Sequence, residues 1–412
     1  MYIQIIVLAA VFLLISIRQI GRFNLRIWQI MLGGAIAVLI SGQISIPEAV
    51  GAINFNIMIF LFGMFIVGEA LVESGYLSVL SCRYFSLART PDQVILFILF
   101  GMGFLSAFLM NDTLAIIGTP LVLGLATKFR ISPKLMLLSL AIAVTTGSVM
   151  SPIGNPQNLL VAVNSDMPAP FVTFGSYLLI PTLINLIIAY AILRLFYKKE
   201  FHSRIYENDP ATICDERLTI LVKVSLFIVL VLAGANILAS VTGGMMVIPL
   251  PVIAICAAAP VLLFSARRFE VLKKIDWYTL VFFVAMFVLM QSVWQTGFFQ
   301  IFFTNGTISS VPVILGSGVI ISQFISNVPF VALFLPMIRQ SGGTTSQLMA
   351  LAAGSTIAGN VTILGAASNV IIVQNAEKQG ETLTFLEFAK VGVPLTVIQL
   401  AVYWVWLVVL PF

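Results

Sequence analysis

The strongest constraint on this chain is a polar interruption of apolar sequence that occurs twice, about half a chain apart. SAFLMNDTLAIIGTP (106–120) is followed by SPIGNPQNLL (151–160), and SQFISNVPFVALFLP (322–336) is followed by TILGAASNVI (362–371). Ser106, Phe108, Asn111 and Pro120 match Ser322, Phe324, Asn327 and Pro336 at one lag of 216 (327 − 111). Gly154 and Asn158 match Gly365 and Asn369 at a lag of 211 (369 − 158). Broken backbone inside an apolar environment survives only where protein or water covers it. Two such sets in corresponding halves therefore predict a fold that brings the broken segments together at the interface between the halves.

The environment is lipid. The 412 residues are 60% hydrophobic and 9% charged, and apolar runs of about 17–25 residues, the length that crosses a bilayer as a helix, recur along the chain. Ten spans are expected, near 1–17, 27–41, 54–75, 133–163, 171–197, 218–239, 250–266, 275–292, 348–376 and 388–410. Two further runs, 92–127 and 309–338, carry Asn with Asp, Ser or Pro at their middles and read as re-entrant helical hairpins. The apolar N-terminus, with no charged leader, reads as the first span. Arg18, Arg22, Arg26, Arg83, Arg89, Lys128, Arg130, Lys134, Lys198, Lys199, Arg267, Arg268, Lys273, Lys274, Lys378 and Lys390 all fall on one side of this arrangement, and only Arg339 on the other. The excess of positive charge marks the cytoplasmic side, so both termini are expected outside a cell (inner or plasma) membrane. The halves, 1–197 and 218–412, are then inverted repeats joined by a cytoplasmic linker at 198–217. The first hairpin opens from the cytoplasm and the second from outside. A third marker agrees: MFIVGEALVESG (64–75) aligns with MFVLMQSVWQTG (286–297) and leads into an aromatic segment, read as an interfacial helix or as an arm on which another part slides. The fold class is thus an all-α polytopic membrane protein, two inverted repeats of five spans plus one hairpin each.

Enzymatic chemistry lacks parts. The sole histidine, His202, sits among charges in the linker and reads as solvated surface. No span holds a His for a zinc site or a Ser–His pair, and no phosphate-binding glycine loop occurs. Cys82, Cys214 and Cys256 are scattered, so neither a disulfide nor a metal cluster is expected. The basic residues form no stripe, so nucleic acid is not a partner. A binding site for a small molecule or inorganic ion reads better. In MNDT (110–113) and SNVP (326–329) an Asn sits between two half-helices. The N-terminus of the helix after each tip favours anionic groups, and the carbonyls before it suit a cation. The candidate solute contacts are Asn111, Asp112, Thr113, Asn155, Pro156, Ser326, Asn327, Val328, Pro329, Ala366 and Ala367. GNPQN (154–158) and GAASN (365–369) read as breaks within spans. Pro156 interrupts the ladder, Gly365 permits positive φ, and Asn158 and Asn369 satisfy freed backbone groups or bind ligand. Asp112 is an intramembrane carboxylate with Val328 as its counterpart. It coordinates Na⁺, carries a proton, or caps the following helix; the sequence leaves the three open.

These residues resemble the ion transporter superfamily that holds the divalent-anion:sodium symporters, the arsenite permeases and one branch of Na⁺/H⁺ antiporters. The resemblance covers nearly the whole chain and implies a scaffold domain, a transport domain moving as an elevator, and a homodimer. In the symporters each tip is Ser-Asn-Thr with a hydroxyl residue five positions before the Asn. By that match Ser106, Asn111 and Gly154 look like one sodium site, and Ser322, Asn327 and Gly365 like its inverted counterpart. The chain departs at the Thr positions, which hold Asp112 and Val328, and Asn-Asp looks more like the arsenite permease branch. The expected function is alternating-access transport of a small, anionic solute coupled to Na⁺ or H⁺, with no other cofactor. The rivals are an arsenite efflux permease or Na⁺/H⁺ antiporter of the same fold, and a passive channel. A channel would line a continuous pore with polar residues, whereas polarity here is confined to the tips and breaks.

Overall fold

The computed structural model describes residues 3–17, 26–76, 79, 87–202, 216–242, 248–298 and 310–409, with the short antiparallel pair β1 (Gln19–Ile20) and β2 (Phe23–Asn24). Expectations for Cys82, Cys214, most of the linker and most of the aromatic segments before the hairpins lie outside these residues. The other elements among the described residues are helical. Among the described residues, seven helices are long and apolar enough to cross a membrane: Phe55–Glu73, Pro91–Leu109, Asn111–Phe129, Pro170–Phe196, Glu216–Ser240, Trp277–Trp294 and Phe385–Val409. Both arms of the first hairpin are among them, so helix length does not distinguish re-entrant arms from spans. Shorter apolar helices include Ile27–Ile40, Pro133–Ser148, Leu250–Phe264 and Val311–Ile325.

In chain order the helices are α1 (Ile3–Ile17), α2 (Ile27–Ile40), α3 (Ile46–Ala52), α4 (Phe55–Glu73), α5 (Pro91–Phe97), α6 (Gly103–Leu109), α7 (Asn111–Phe129), α8 (Pro133–Ser148), α9 (Pro156–Asn164) and α10 (Pro170–Phe196). After the linker come α11 (Glu216–Val241), α12 (Leu250–Phe264), α13 (Arg268–Lys274), α14 (Trp277–Trp294), α15 (Val311–Ile325), α16 (Asn327–Gln340), α17 (Thr345–Ile357), α18 (Ala367–Glu377) and α19 (Phe385–Val409). A π turn at Ile98–Met102 joins α5 to α6.

Two bundles form. In the flanking bundle α4 packs on α12 and α14 on α2, while α1 meets α2 and α11 meets α12. In the tip bundle α6 packs on α8 and α15 on α17, α7 on α8 and α16 on α17. The tip helices also cross over: α7 packs on α18, and α16 on α9. Each of these contacts has a partner contact with the halves exchanged. Backbones meet closely at Gly147, where a Cβ would lie 2.2 Å from the Gly103 carbonyl oxygen, and at Gly318, where it would lie 2.9 Å from the backbone of Gly354. Any larger residue there would part the helices. Gly75 and Gly297, from the third sequence marker, both take positive φ (70° and 69°) just past α4 and α14.

Burial follows this plan. Residues 135–148 of α8 and 348–357 of α17 are all buried, whereas α10, α11 and α19 turn Leu179, Ile187, Phe227, Leu238, Val397 and Val405 outward. An apolar face of that kind is stable against lipid rather than water. Charged pairs sit at helix ends. Glu73 meets Arg267 at 3.1 Å and Lys274 at 2.5 Å, tying α4 to α13, and Arg339 meets Asp166.

Candidate functional site

Each hairpin turns on one residue. Met110 takes φ 63°, ψ 138° and Ser326 takes φ 71°, ψ 158°, an uncommon backbone conformation for any side chain but glycine. The sequence reading put Asn111 and Asn327 between the half-helices. In the structure each is instead the first residue of the helix beyond the tip, and the hinge is the residue before it. Nothing in the sequence marks Met110, because methionine has no preference for positive φ. Asn111 and Asn327 are only 5% and 6% exposed. The Asn111 backbone N–H donates to the Gly154 carbonyl at 2.9 Å, and its Nδ2 approaches the Ser368 hydroxyl of the other half at 3.4 Å. The Oδ1 atoms of both Asn residues are buried without a hydrogen-bond partner.

Asp112 is the second residue of α7 and half-buried. The capping option fails. The residue at the cap position is Met110, and no side chain caps the helix. Asp276, at the start of α14, acts on Asp112 with like charge and offers no compensation. Thr113 is buried against α4: a Cβ at Gly68 would stand 2.8 Å from its Cγ2 and 2.9 Å from its Oγ1. In the second tip Ser326 is half-buried, while Val328 and Pro329 are buried in the first turn of α16. Ser106 and Ser322 are both fully buried, yet they differ. Ser106 donates to the Val144 carbonyl at 2.7 Å, whereas the Ser322 hydroxyl has no partner.

The breaks are built by amides. Between α8 and α9, Asn155 caps α9 by accepting from the Asn158 N–H at 2.8 Å and donates to the hydroxyls of Ser148 (2.9 Å) and Thr356 (3.3 Å). Asn155 is fully buried and holds the break together. Pro156 opens α9 at a position where no N–H is needed. Asn158 donates to the carbonyls of Ser148, Val149 and Ser151 at 3.0, 3.2 and 3.0 Å. Between α17 and α18 the chain passes through two short 3-10 turns. Asn369 donates to the carbonyls of Gly359 (2.5 Å) and Thr362 (3.4 Å). Ala366 precedes α18 without any side-chain cap, and Ala367 is exposed. Gln323 of α15 completes this break, donating to the Ala358 carbonyl at 2.7 Å and accepting from the Thr362 hydroxyl at 3.0 Å.

Gly365 does not have positive φ, nor does Gly154. Each is glycine because of crowding: a Cβ at Gly154 would lie 2.4 Å from the Ser148 oxygen, and one at Gly365 2.5 Å from the Ala358 oxygen. A cavity of about 300 Å³ lies between the bundles, lined by Asn54, Asn164, Gln291, Trp294 and Arg339 among others, and the tip residues are not part of its wall. Asn54 donates to the Asn164 side chain there at 2.7 Å.

The sequence pattern of the citrate transporter family, CitMHS, matches residues 11–347, most of the chain. The chain belongs to this family. Its relatives include the uncharacterized transporter Rv2684 of Mycobacterium tuberculosis, 27% identical over 381 residues that cover 86% of each chain. The P protein of Homo sapiens is 23% identical over 490 residues, covering 96% of this chain and 58% of that protein. Among solved structures, the YdaH transporter of Alcanivorax borkumensis superposes with a TM-score of 0.61 over 98% of this chain and 96% of its own, at 15% identity, which is a likeness of fold. The chain is therefore a multi-pass membrane transporter of a small solute and not an enzyme, within the superfamily its tips and breaks resembled.

Proposed function

We propose that the protein is a secondary transporter that moves a small anionic solute by alternating access, coupled to Na⁺ or H⁺. One observation carries this reading. Each hairpin tip sets a buried Asn, with an unpartnered carbonyl oxygen, at the first turn of a helix that packs on the broken segment of the other half. An unpartnered buried oxygen costs about 1–3 kcal/mol, and a cation would repay it. The adjoining helix N-terminus favours an anion. Cation and anion would thus be held at the same two tips, which is what coupling requires. The family's description as citrate transporters supports a carboxylate-bearing solute. Asp112 would repel such a solute unless a cation or proton intervenes, so its charge makes binding conditional on the coupling ion.

The exchange of contacts between halves supports two inverted repeats. In this reading the flanking bundle is the scaffold of an elevator and the assembly a homodimer. Both termini lie outside the cell membrane, with the basic loops in the cytoplasm. The amides at the breaks (Asn155, Asn158, Asn369) support the two sites rather than line them.

The test is uptake into proteoliposomes with imposed Na⁺ or pH gradients, using labelled citrate as first probe and succinate and phosphate as alternatives. Asn111→Ala and Asn327→Ala should each reduce uptake at least about 10-fold, the loss of one charge-assisted contact, while the protein still elutes as a folded species. Transport retained in both variants refutes the reading.

A further inference from the structure

The cavity of about 300 Å³ between the bundles lies outside the two tip sites, and both bundles supply its wall. The flanking bundle gives Asn54, the N-cap of α4, with Gln291 and Trp294 of α14. The tip bundle gives Asn164 at the end of α9 and Arg339 in the last turn of α16. Helices α9 and α16 pack on each other, and they start at the first break and at the second tip. Their inner wall residues, Leu160 and Ala332, lie five residues beyond Asn155 and Asn327, about 7.5 Å along each helix. The cavity therefore begins between one and two helical turns from the second tip and extends to Arg339. In the topology proposed above that is the outer side.

Its polar groups gather round one positive charge. Among the described residues Arg339 is the only charged one in the wall. Its Nη1 donates to the Asn164 carbonyl and its Nη2 to Asp166 Oδ2, so two of the five guanidinium N–H donors are committed. The Arg339 side chain is 44% exposed and that of Asp166 80%. An ion pair this exposed is weak, and another carboxylate can compete for the guanidinium. Asn164 Oδ1 accepts from Asn54 Nδ2 at 2.7 Å, which leaves the Asn164 amide nitrogen for a ligand, and Gln291 brings a further amide. A carboxylate accepts two parallel N–H groups from one guanidinium. Trp294, Phe287 and Leu333 make the rest of the wall apolar, a surface that suits a carbon body and is of no use to a bare inorganic anion. At the repeat lag the counterpart of Arg339 is Leu123 (339 − 216), which is buried, so this charge belongs to one side of the molecule only.

We propose that the cavity is an entry site in which Arg339 holds an organic carboxylate before the solute reaches the tips. This rests on the anionic-solute reading above and adds a second binding site to it.

The test is the concentration dependence of labelled citrate uptake into proteoliposomes. Arg339→Gln should raise KM about 10-fold, the loss of one charge-assisted contact, and leave the maximal rate unchanged. Arg339→Lys keeps the charge but loses the fork, so its KM should lie between those of wild type and Arg339→Gln. Asp166→Asn frees the guanidinium of its competitor, and asparagine tolerates the positive φ of 53° at that position. Its KM should be at or below the wild-type value. Arg339→Gln and Asp166→Asn break the same ion pair, so a purely structural clasp would impair both alike. A KM raised equally in both, or a lower maximal rate at unchanged KM in Arg339→Gln, overturns the entry site. If Arg339→Gln does not elute as a folded species, an unchanged KM in Arg339→Lys overturns it instead. Asn327→Ala, run in parallel, separates the two readings: uptake lost there with KM unchanged in Arg339→Gln removes the entry site and leaves the tip sites standing. Failure of the wild type to take up citrate, succinate or phosphate overturns both.

Discussion

The two tips and the two breaks share a backbone and differ in chemistry. Met110 and Ser326 take nearly the same φ, and Gly154 and Gly365 are crowded by a carbonyl to within a tenth of an ångström of each other, at 2.4 and 2.5 Å. Around that common frame the first half commits its serine and both break amides. Ser106 is committed to Val144, Asn155 caps α9, and Asn158 satisfies three carbonyls. The second half is looser: Ser322 has no partner, Ala366 caps nothing, and Gln323 reaches in from α15 to complete the break. The charge is unequal too, with Asp112 answered by Val328. The repeated sequence pattern marks where the backbone breaks. The side chains around it then give one half a carboxylate and a committed serine and the other an uncharged tip with a spare hydroxyl. Such a pair is suited to holding two different ligands rather than two copies of one.

The sharpest way to break this comparison is to remove the charge. Asp112→Asn should leave solute exchange intact and cut concentrative uptake at least about 10-fold, one decade of coupling, with flattened pH and Na⁺ dependence. Exchange and net uptake measured in the same proteoliposomes separate these, and wild-type behaviour in both ends the idea that this carboxylate couples.

Next is the unequal load on the break amides. Asn158→Ala removes three contacts to buried carbonyls and leaves Val149 with none, Ser151 with only the Gly154 N–H at 3.4 Å and Ser148 with only Asn155 Nδ2 at 3.5 Å, and should destabilise by about 1–3 kcal/mol. Asn369→Ala takes the donor from the Gly359 carbonyl alone, because Thr362 keeps the Gly365 N–H at 3.0 Å, and should cost less. Thermal melts that rank them in the other order would mean that the second break depends more on its own amide than on Gln323.

The glycines should behave alike. Gly154→Ala and Gly365→Ala each push a methyl into a backbone carbonyl, and overpacking of this kind costs about 1–3 kcal/mol. A tolerated alanine at either position, read by melting temperature, would make that break deformable and its frame unlike the other.

The smallest effect lies at the serines. Ser106→Ala loses a bond to Val144 and should cost about 1 kcal/mol. Ser322→Ala loses none and should be near neutral in choline chloride, becoming costly only in NaCl if that hydroxyl holds the cation. Equal costs in choline would erase the contrast between a committed and a spare hydroxyl.

The sequence by itself determined the membrane class, the position of both hairpins and both breaks, and the residues that repeat. These are legible because lipid allows few ways to interrupt a helix, so Asn, Gly and Pro within apolar runs have few meanings. The roles of Asn158 and Asn369 toward freed carbonyls were readable for the same reason. Tertiary structure alone decided the rest. It moved the hinge to Met110 and Ser326, where no propensity announces it. It made Gly365 a matter of crowding rather than of φ, and it buried Asn155 as a cap. It also joined Asn111 to Ser368, Asn155 to Thr356, and Thr146 to Asn360 and Gln399, pairs far apart in the chain. A short amide or hydroxyl is locally ambiguous between capping, bonding a neighbour and binding an ion, and which it does depends on the atoms that a second, distant segment brings within 3 Å.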